Sequence, residues 1–410
     1  MVPDRLKARL RAFWCVIDCS AGLELLGPAE GCISDRGPSV RRLILATHER
    51  VVSTARRQGG LVQPSGRSTP DVRYDGERVL VTGGASFIGS HLVQLLLCAG
   101  ARVTVADDLS SGDLNNLASV AGDVVTTIGD LRNPEFAAQA VRGQDTVFHL
   151  AAMHGGRGYI DTHPVECTSN MLLDHVVFSA AATAGVGRLV QASSACVYPV
   201  DLQASDRRRR HLRESDAGFD EPGKAFADGE YGWAKLMGEL QLRAFHKQHG
   251  LDAVAARIFT AYGERENESH AVVALIAKAA ARLDPYPVWG NGKQTRNFTY
   301  VGDTVMGLAL AGRMSGFQLL NVGSAQHHTI LELMEVIFER LGWRPGVLDL
   351  QLDKPVGVRS RASDNSRIKR LTGWEPRTSL TEGVGRTIDW YVESTPPERL
   401  RDLESRLMVR

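Results

Sequence analysis

Apolar residues follow two rhythms along this chain. From Arg78 onward, short unbroken apolar or β-branched stretches recur: "RVLVT" (78–82), "ARVTVAD" (101–107), "DVVTTIGD" (123–130), "DTVFHLA" (145–151) and "GRLVQASS" (187–194). Several are separated by longer segments with apolar residues at helical spacing, as in "FIGSHLVQLLLCAG" (87–100). Unbroken apolar strands predict a sheet buried on both faces, and their alternation with helices predicts βαβ units in a parallel sheet. After about Tyr262 the elements shorten: a helix at 271–282, a strand near 317–322, and helices at 329–341 and near 379–393. That change predicts a smaller lobe closing over the carboxyl edge of the sheet, where such folds bind ligands. Before Arg78 neither rhythm holds. Residues 1 to about 75 scatter Arg, Gly, Pro and Ser around patches such as "LILA", and "QGGLVQPSGRSTPD" (58–71) reads as a flexible linker. A disordered tail is expected there, with a targeting or regulatory arm as the alternative.

The fold class expected is α/β, a Rossmann-type doubly wound parallel sheet with a smaller C-terminal substrate-binding lobe. The expected division is an extension at 1–75, a dinucleotide-binding domain at 76–262, a mainly substrate-binding lobe at 263–395 and a tail at 396–410.

Composition narrows the function classes. With 410 residues, 43% hydrophobic and 23% charged, the chain can bury a real core. A formal net charge of +1 gives no electrostatic case for nucleic acid or membrane as partner. No apolar run approaches the roughly 20 residues that span a bilayer. Cysteines 15, 19, 32, 98, 167 and 196 show no paired metal spacing, so no metal is expected. "FWCVI" is too short for a signal core, and a reducing, cytoplasmic setting with free thiols is the expectation. The run "DRRRRHLRE" (206–214) has flanking acids and no interleaved aromatics, which reads as an exposed charged loop rather than a phosphate or nucleic-acid patch.

Candidate chemistry begins where the first strand meets the first helix. "VTGGASFIG" (81–89) places Gly83 and Gly84 in the turn and Gly89 where helix and strand approach. A pyrophosphate would then face the helix N-terminus. Ser86 takes the middle position, often glycine in such turns, where its Cβ crowds a phosphate and its hydroxyl can donate to it. Asp107, at the end of the second strand, is placed for ribose hydroxyls and against a 2′-phosphate, favouring NAD over NADP. Asp130 in "GDLRN" could receive the adenine amino group or be a plain surface aspartate. Phe87, Ile88, Leu131 and Ala151, with Tyr231 and Lys235, complete the expected cofactor set. Further on, "YGWAK" sets Tyr231 and Lys235 on one helical face, where the lysine's charge is expected to lower the phenol's pKa and make it a usable base.

In this order, "TGGASFIG", "GDLRN", "FHLAA", "SSACVYP", "YGWAK", "GKQTRNFTYVGD" and "GWEP" resemble the extended short-chain dehydrogenase/reductases, in particular the nucleotide-sugar epimerases and dehydratases, from about Arg78 to Tyr391. The resemblance implies a bound NAD that removes hydride from a sugar, with Ser194, Tyr231 and Lys235 deprotonating its hydroxyl. It also implies dimerisation through the helix that bears Tyr231. Finer features, "AAMHGGRGYI" (151–160), "SSACVYP" (193–199), "LRESDA" (212–217), "QTRNFTY" (294–300) and "GVRSRASDN" (357–365), resemble the GDP-mannose 3,5-epimerases. That likeness implies Cys196 as one acid/base. His270 takes the place of the partner, a lysine in that group, after a shorter loop. Thr260 and Glu264 depart from the usual asparagine and proline.

The implied substrate set is Gly155, Ser194, Ala195, Cys196, Thr260, His270, Lys278, Gln294, Arg296 and Arg361. Arg296 and Arg361 match diphosphate-clamping arginines, with Arg359 assisting, and a guanidinium fork suits that role. Oxidising a hexose at carbon 4 acidifies the hydrogens on carbons 3 and 5. A thiol and an imidazole bracket neutral pH as exchange partners. Ala195 and Cys196 stand where related 4,6-dehydratases have Asp-Glu, which argues against that dehydration. A buried, merely packing Cys196 is the plain alternative. The function expected is an NAD-dependent epimerase acting at carbon 3 and/or 5 of an NDP-hexose, GDP-mannose-like. Its alternatives are a 4-epimerase or other nucleotide-sugar oxidoreductase, and a non-catalytic NAD-binding sensor or scaffold.

Overall fold

A computed structural model describes residues 72–205, 209–401 and 403. The expected N-terminal extension therefore lies outside the described residues except for 72–75, as do Arg207 and Arg208 of the basic run and most of the C-terminal tail. The boundary at 75 falls late: Tyr74 is fully buried, donates its hydroxyl to Ala309 O at 2.7 Å and meets Phe148 edge-on.

Seven strands form one parallel sheet: β1 (Arg78–Thr82), β2 (Arg102–Asp107), β3 (Val124–Ile128), β4 (Thr146–His149), β5 (Arg188–Ser194), β6 (Asp252–Ile258) and β7 (Phe317–Val322). Their order is β7-β6-β5-β4-β1-β2-β3, with every neighbouring pair parallel. The central strands β1 and β4 are apolar because both faces are covered. The helices that matter below are α1 (Phe87–Cys98), α2 (Pro134–Val141), α3 (Asn170–Thr183), α4 (Gly229–His249), α5 (Ala271–Ala280), α6 (Val301–Ala311), α7 (Ile330–Leu341) and α8 (Leu380–Ser394). On one face, Val141, Leu173, Val177, Phe178 and Leu242 from α2, α3 and α4 pack on Leu80, Val147, Leu189 and Ala253 of the sheet. On the other, α6 packs on α1.

One feature corrects the sequence reading, and a second was absent from it. The strand near 317–322 does not belong to a separate lobe: it is β7, paired with β6 from Phe317↔Ala253 to Val322↔Ile258. Residues 301–322 thus return to the main sheet instead of a separate lobe. The second feature is Arg257, fully buried within β6. It is sustained by a two-pronged bond to Glu239 of α4 (2.9 and 2.7 Å) and by the carbonyls of Glu214 and Ala217. Among the described residues no helix is long and apolar enough to cross a membrane, and no cluster of three His, Cys, Asp or Glu could hold a metal ion.

Candidate active site

The expected nucleotide residues from Gly83 to Gly89, with Asp107, Asp130 and Leu131, follow the carboxyl ends of β1, β2 and β3, Ala151 follows that of β4, and Tyr231 and Lys235 lie on α4. Gly83 has φ +66°, which a side chain rarely adopts, and a Cβ on Gly89 would stand 2.0 Å from Gly83 O, so both positions require glycine. Ser86 begins α1 without capping it with its side chain, which leaves the first-turn N–H groups facing the cleft. Its hydroxyl donates to Gly83 O at 2.5 Å, closing the turn rather than reaching for a phosphate as expected. Asp107, 5% exposed, accepts from Ala85 N and Leu109 N, both at 2.9 Å, while burial pushes its carboxyl up. It therefore clasps the turn to the end of β2 and still borders the cleft. Asp130 is held by Arg132 (2.8 and 3.0 Å), whose hydrogen bonds keep its carboxyl below the ordinary range. Leu131 and Ala151 line the same cleft. Uncapped N–H groups beside a carboxylate at the end of β2 fit a dinucleotide's pyrophosphate and ribose.

Ser194 ends β5, and its Oγ accepts from Cys196 N at 3.1 Å, which shapes the single turn Ala195–Val197. Tyr231 and Lys235 stand on α4 beside it: Ser194 lies close enough to act on the Tyr231 hydroxyl, and the Lys235 ammonium lies 6.0 Å from the Tyr231 ring centroid. Lys235 was expected to bring the phenol's pKa down. The net direction here is upward, because burial, followed by the Cys196 charge, outweighs the effect of Ser194. Burial likewise lowers Lys235, opposed by Asp174. Asp174 belongs to a buried network under the site. Thr82 Oγ1 accepts from Leu150 N and Ala151 N, so it donates to His149 Nδ1 (2.8 Å), and His149 Nε2 then donates to Asp174 at 3.0 Å. Gln191 donates to the second Asp174 oxygen at 2.7 Å.

Beyond the thiol lies a cluster of arginines. Arg361 donates to Cys196 Sγ at 3.4 Å, to Gln203 at 2.6 Å and to Asp228 at 3.2 Å. Arg157 takes the other Asp228 oxygen at 2.9 Å, and Asp228 N donates to Cys196 O at 2.9 Å. Burial raises the Asp228 carboxyl, but Arg361 and Arg157 outweigh it and hold it below its ordinary value. Arg296 is enclosed and donates to the carbonyls of Thr295, Val356 and Val358. Burial, followed by the Arg361 charge, pushes it down to about 9. Arg359 offers its backbone N–H to Gln203 O (3.0 Å).

On α5's approach, His270 Nδ1 faces Glu266 at 3.0 Å, and its ring lies 5.9 Å from that of His154. His154 borders the nucleotide cleft and is accessible within it, although protein surrounds it. The protein atoms around it, then the His270 and Lys235 charges, push its pKa down.

Not every expected substrate residue points to this place. Lys278 donates to Pro287 O at 3.0 Å, and burial pushes it down to about 8; it ties α5 to the strand Tyr286–Trp289. Gln294 donates to Trp289 O at 3.2 Å. Thr260 pairs through its backbone with Thr299, Ala195 is buried, and Gly155 packs against Tyr159. Four residues that border the site were not foreseen: His154, Arg157, Asp228 and Glu266. Two of them stand in "AAMHGGRGYI", where charged or titratable residues interrupt a glycine-rich loop after a strand, and that was the available signal.

Residues 79–323 match the NAD dependent epimerase/dehydratase family. The chain is 30% identical over 330 residues to GDP-mannose 3,5-epimerase of Arabidopsis thaliana, covering 79% of this chain and 84% of that one. The dTDP-glucose 4,6-dehydratase of Streptomyces venezuelae, solved with NAD bound, matches with a TM-score of 0.68 at 27% identity, covering 77% of this chain and 97% of that one. UDP-glucose 4-epimerase of Thermotoga maritima, solved with UDP-glucose, gives a TM-score of 0.67 at 25% identity, covering 77% and 99%. Three relatives of similar likeness are named for three reactions on one scaffold, so the likeness identifies the scaffold and its cofactor: this chain belongs to the NAD dependent epimerase/dehydratase family, and its cofactor is NAD.

Proposed function

We propose that this chain is an NAD-dependent nucleotide-sugar epimerase that oxidises carbon 4 of a GDP-mannose-like NDP-hexose and inverts carbon 3 and/or 5. The observation that carries the reading is the thiol of Cys196 at the catalytic strand end, two residues past Ser194 and held by Arg361 at 3.4 Å. When bound, NAD supplies a reversible hydride acceptor. Tyr231, beside Ser194, takes the proton of the carbon-4 hydroxyl. The resulting ketone acidifies the neighbouring C–H bonds. Cys196 and His270 take a proton from one face of such a carbon and deliver one to the other. Tyr231 then returns its proton as the carbonyl is reduced, so the net change is stereochemical and no cofactor is consumed. Asp228 and Gln203 orient Arg361.

The test is incubation with a panel of NDP-sugars in deuterated water, followed by NMR. Deuterium at carbon 3 or 5 supports the reading. Interconversion at carbon 4 with no exchange would make the chain a 4-epimerase in which Cys196 only packs. The proposal includes a cytoplasmic setting and a homodimer, the latter supported by the exposed apolar Val165, Leu172 and Trp233 on and beside α3 and α4. Sedimentation of the full chain checks the assembly.

A further inference from the structure

His270 precedes α5 without capping it through its side chain, which turns back across the loop to Glu266, four residues earlier. Glu266 is 5% exposed, and its second carboxylate oxygen, Oε2, is buried with no hydrogen-bond partner among the described residues. A buried carboxylate oxygen in that state is costly unless the group serves a charge nearby. The nearest is His270. With Nδ1 turned to the carboxylate, Nε2 is the nitrogen left to exchange a proton, and the carboxylate is placed to stabilise the imidazolium formed when Nε2 accepts one. The ring also lies 5.9 Å from His154, which borders the cleft that holds Gly83, Asp107 and Ala151, so the His270 arm adjoins the cofactor cleft.

We propose that Glu266 is the positioning residue of His270: it fixes the imidazole's tautomer and orientation and balances its charge while Nε2 carries the proton. This rests on the reading of His270 as one half of the exchange pair. No bond is made or broken to Glu266 itself. The proton moves between the sugar carbon and Nε2, while Nδ1–H stays on Glu266.

The experiment compares the full-length natural chain, Glu266→Gln, Glu266→Asp and His270→Ala. It records cofactor reduction during a single turnover, KM, and deuterium entry at each sugar carbon. Glu266→Gln keeps the side chain's shape and removes its charge. It should lower exchange at the carbon served by His270 by about a hundredfold, leaving cofactor reduction and KM within about twofold, while Glu266→Asp restores part of the exchange. The double variant with His270→Ala should lose no more than His270→Ala alone, because residues that act as a unit are not additive. Exchange at the natural rate in Glu266→Gln overturns the proposal, as does an equal loss of cofactor reduction and exchange, which would mark Glu266 as merely structural. If Glu266→Gln does not fold, Glu266→Asp decides by the same comparison. Should the natural chain itself show no exchange at carbon 3 or 5 with any NDP-sugar, the epimerase reading fails first and takes this one with it. Should it exchange while His270→Ala is unimpaired, the pairing fails and the epimerase reading stands.

Discussion

Gly232, one residue after Tyr231, is the point where α4 touches the turn that follows β5. A Cβ at this position would stand 2.4 Å from Cys196 O and 3.1 Å from Cys196 C, against an ordinary contact of at least 3.4 Å. Gly232→Ala must therefore find about 1 Å between α4 and the Cys196 turn. Neither partner can rotate away, since the obstacle is backbone. Cys196 O is also held by Asp228 N at 2.9 Å, and the Asp228 carboxylate by two arginines. Overpacking of this kind costs roughly 1–3 kcal/mol, while alanine in a helix interior recovers up to about 1 kcal/mol relative to glycine. The fold should lose only about 0–2 kcal/mol. The site should lose more, because a displacement of ~1 Å between reacting groups costs about a hundredfold in rate, equivalent to about 2.7 kcal/mol. The assay pairs calorimetric Tm with single-turnover cofactor reduction on a turned-over NDP-sugar. A small change in Tm with a rate reduced about a hundredfold is expected. A rate within threefold of the natural chain would refute the reasoning, and so would a loss of fold that accounts for the whole loss of rate.

Asp107→Ala removes the acceptor of two backbone N–H groups in the cofactor turn, so NAD retention should fall by at least about tenfold, with the margin over NADP narrowed; titration calorimetry with both dinucleotides checks this. Tyr231→Phe should abolish cofactor reduction and isotope exchange together, whereas Cys196→Ser should keep reduction and lose deuterium entry at one carbon, read by absorbance and NMR on the same samples. Lys278 gives a pH signature: its pKa is about 8 when folded against an ordinary 10.5, so the folded state binds the proton less tightly. Stability should therefore rise as pH goes from about 8 to 10.5, with the penalty fully present below that window. Lys278→Met should be the more stable chain at neutral pH by about 2 kcal/mol, roughly 3 for the displaced pKa less about 1 for the lost bond to Pro287 O. The gap should close in alkali, as followed by urea unfolding across the pH range.

The parallel sheet and its nucleotide turn were legible because their signals are local. β1 is an unbroken apolar run, and Gly83 and Gly89 follow it at the spacing that the turn requires. Motif order alone also put Ser194 at a strand end and Tyr231 and Lys235 on one helix, which is where they stand. What escaped depends on contacts between segments far apart in the chain. β7 reads as one more short strand until its pairing with β6 is known. Arg257 looks like a break in an apolar strand until Glu239 arrives from α4. Asp228 resembles an ordinary residue before a helix, yet its carboxylate spans Arg157 and Arg361, residues more than 200 positions apart. The sign of the Tyr231 shift was misjudged for the same reason: helical spacing shows that Lys235 is near, but not that both groups are enclosed.

The late return of the chain to the sheet has a consequence for how the protein is made. β6 leaves the ribosome with one of its edges bare, and the strand that covers that edge begins 59 residues after Ile258, at Phe317. During that interval a nascent chain already holding the whole cofactor turn and the catalytic helix exposes an apolar edge that can template pairing with another copy. A chaperone that shields this edge, or a slow stretch of translation placed after β7 rather than before it, would then govern the yield of folded enzyme. Fragments cut at the seemingly natural boundary near Tyr262 should aggregate, although every cofactor-binding and strand-end catalytic residue named above lies within them.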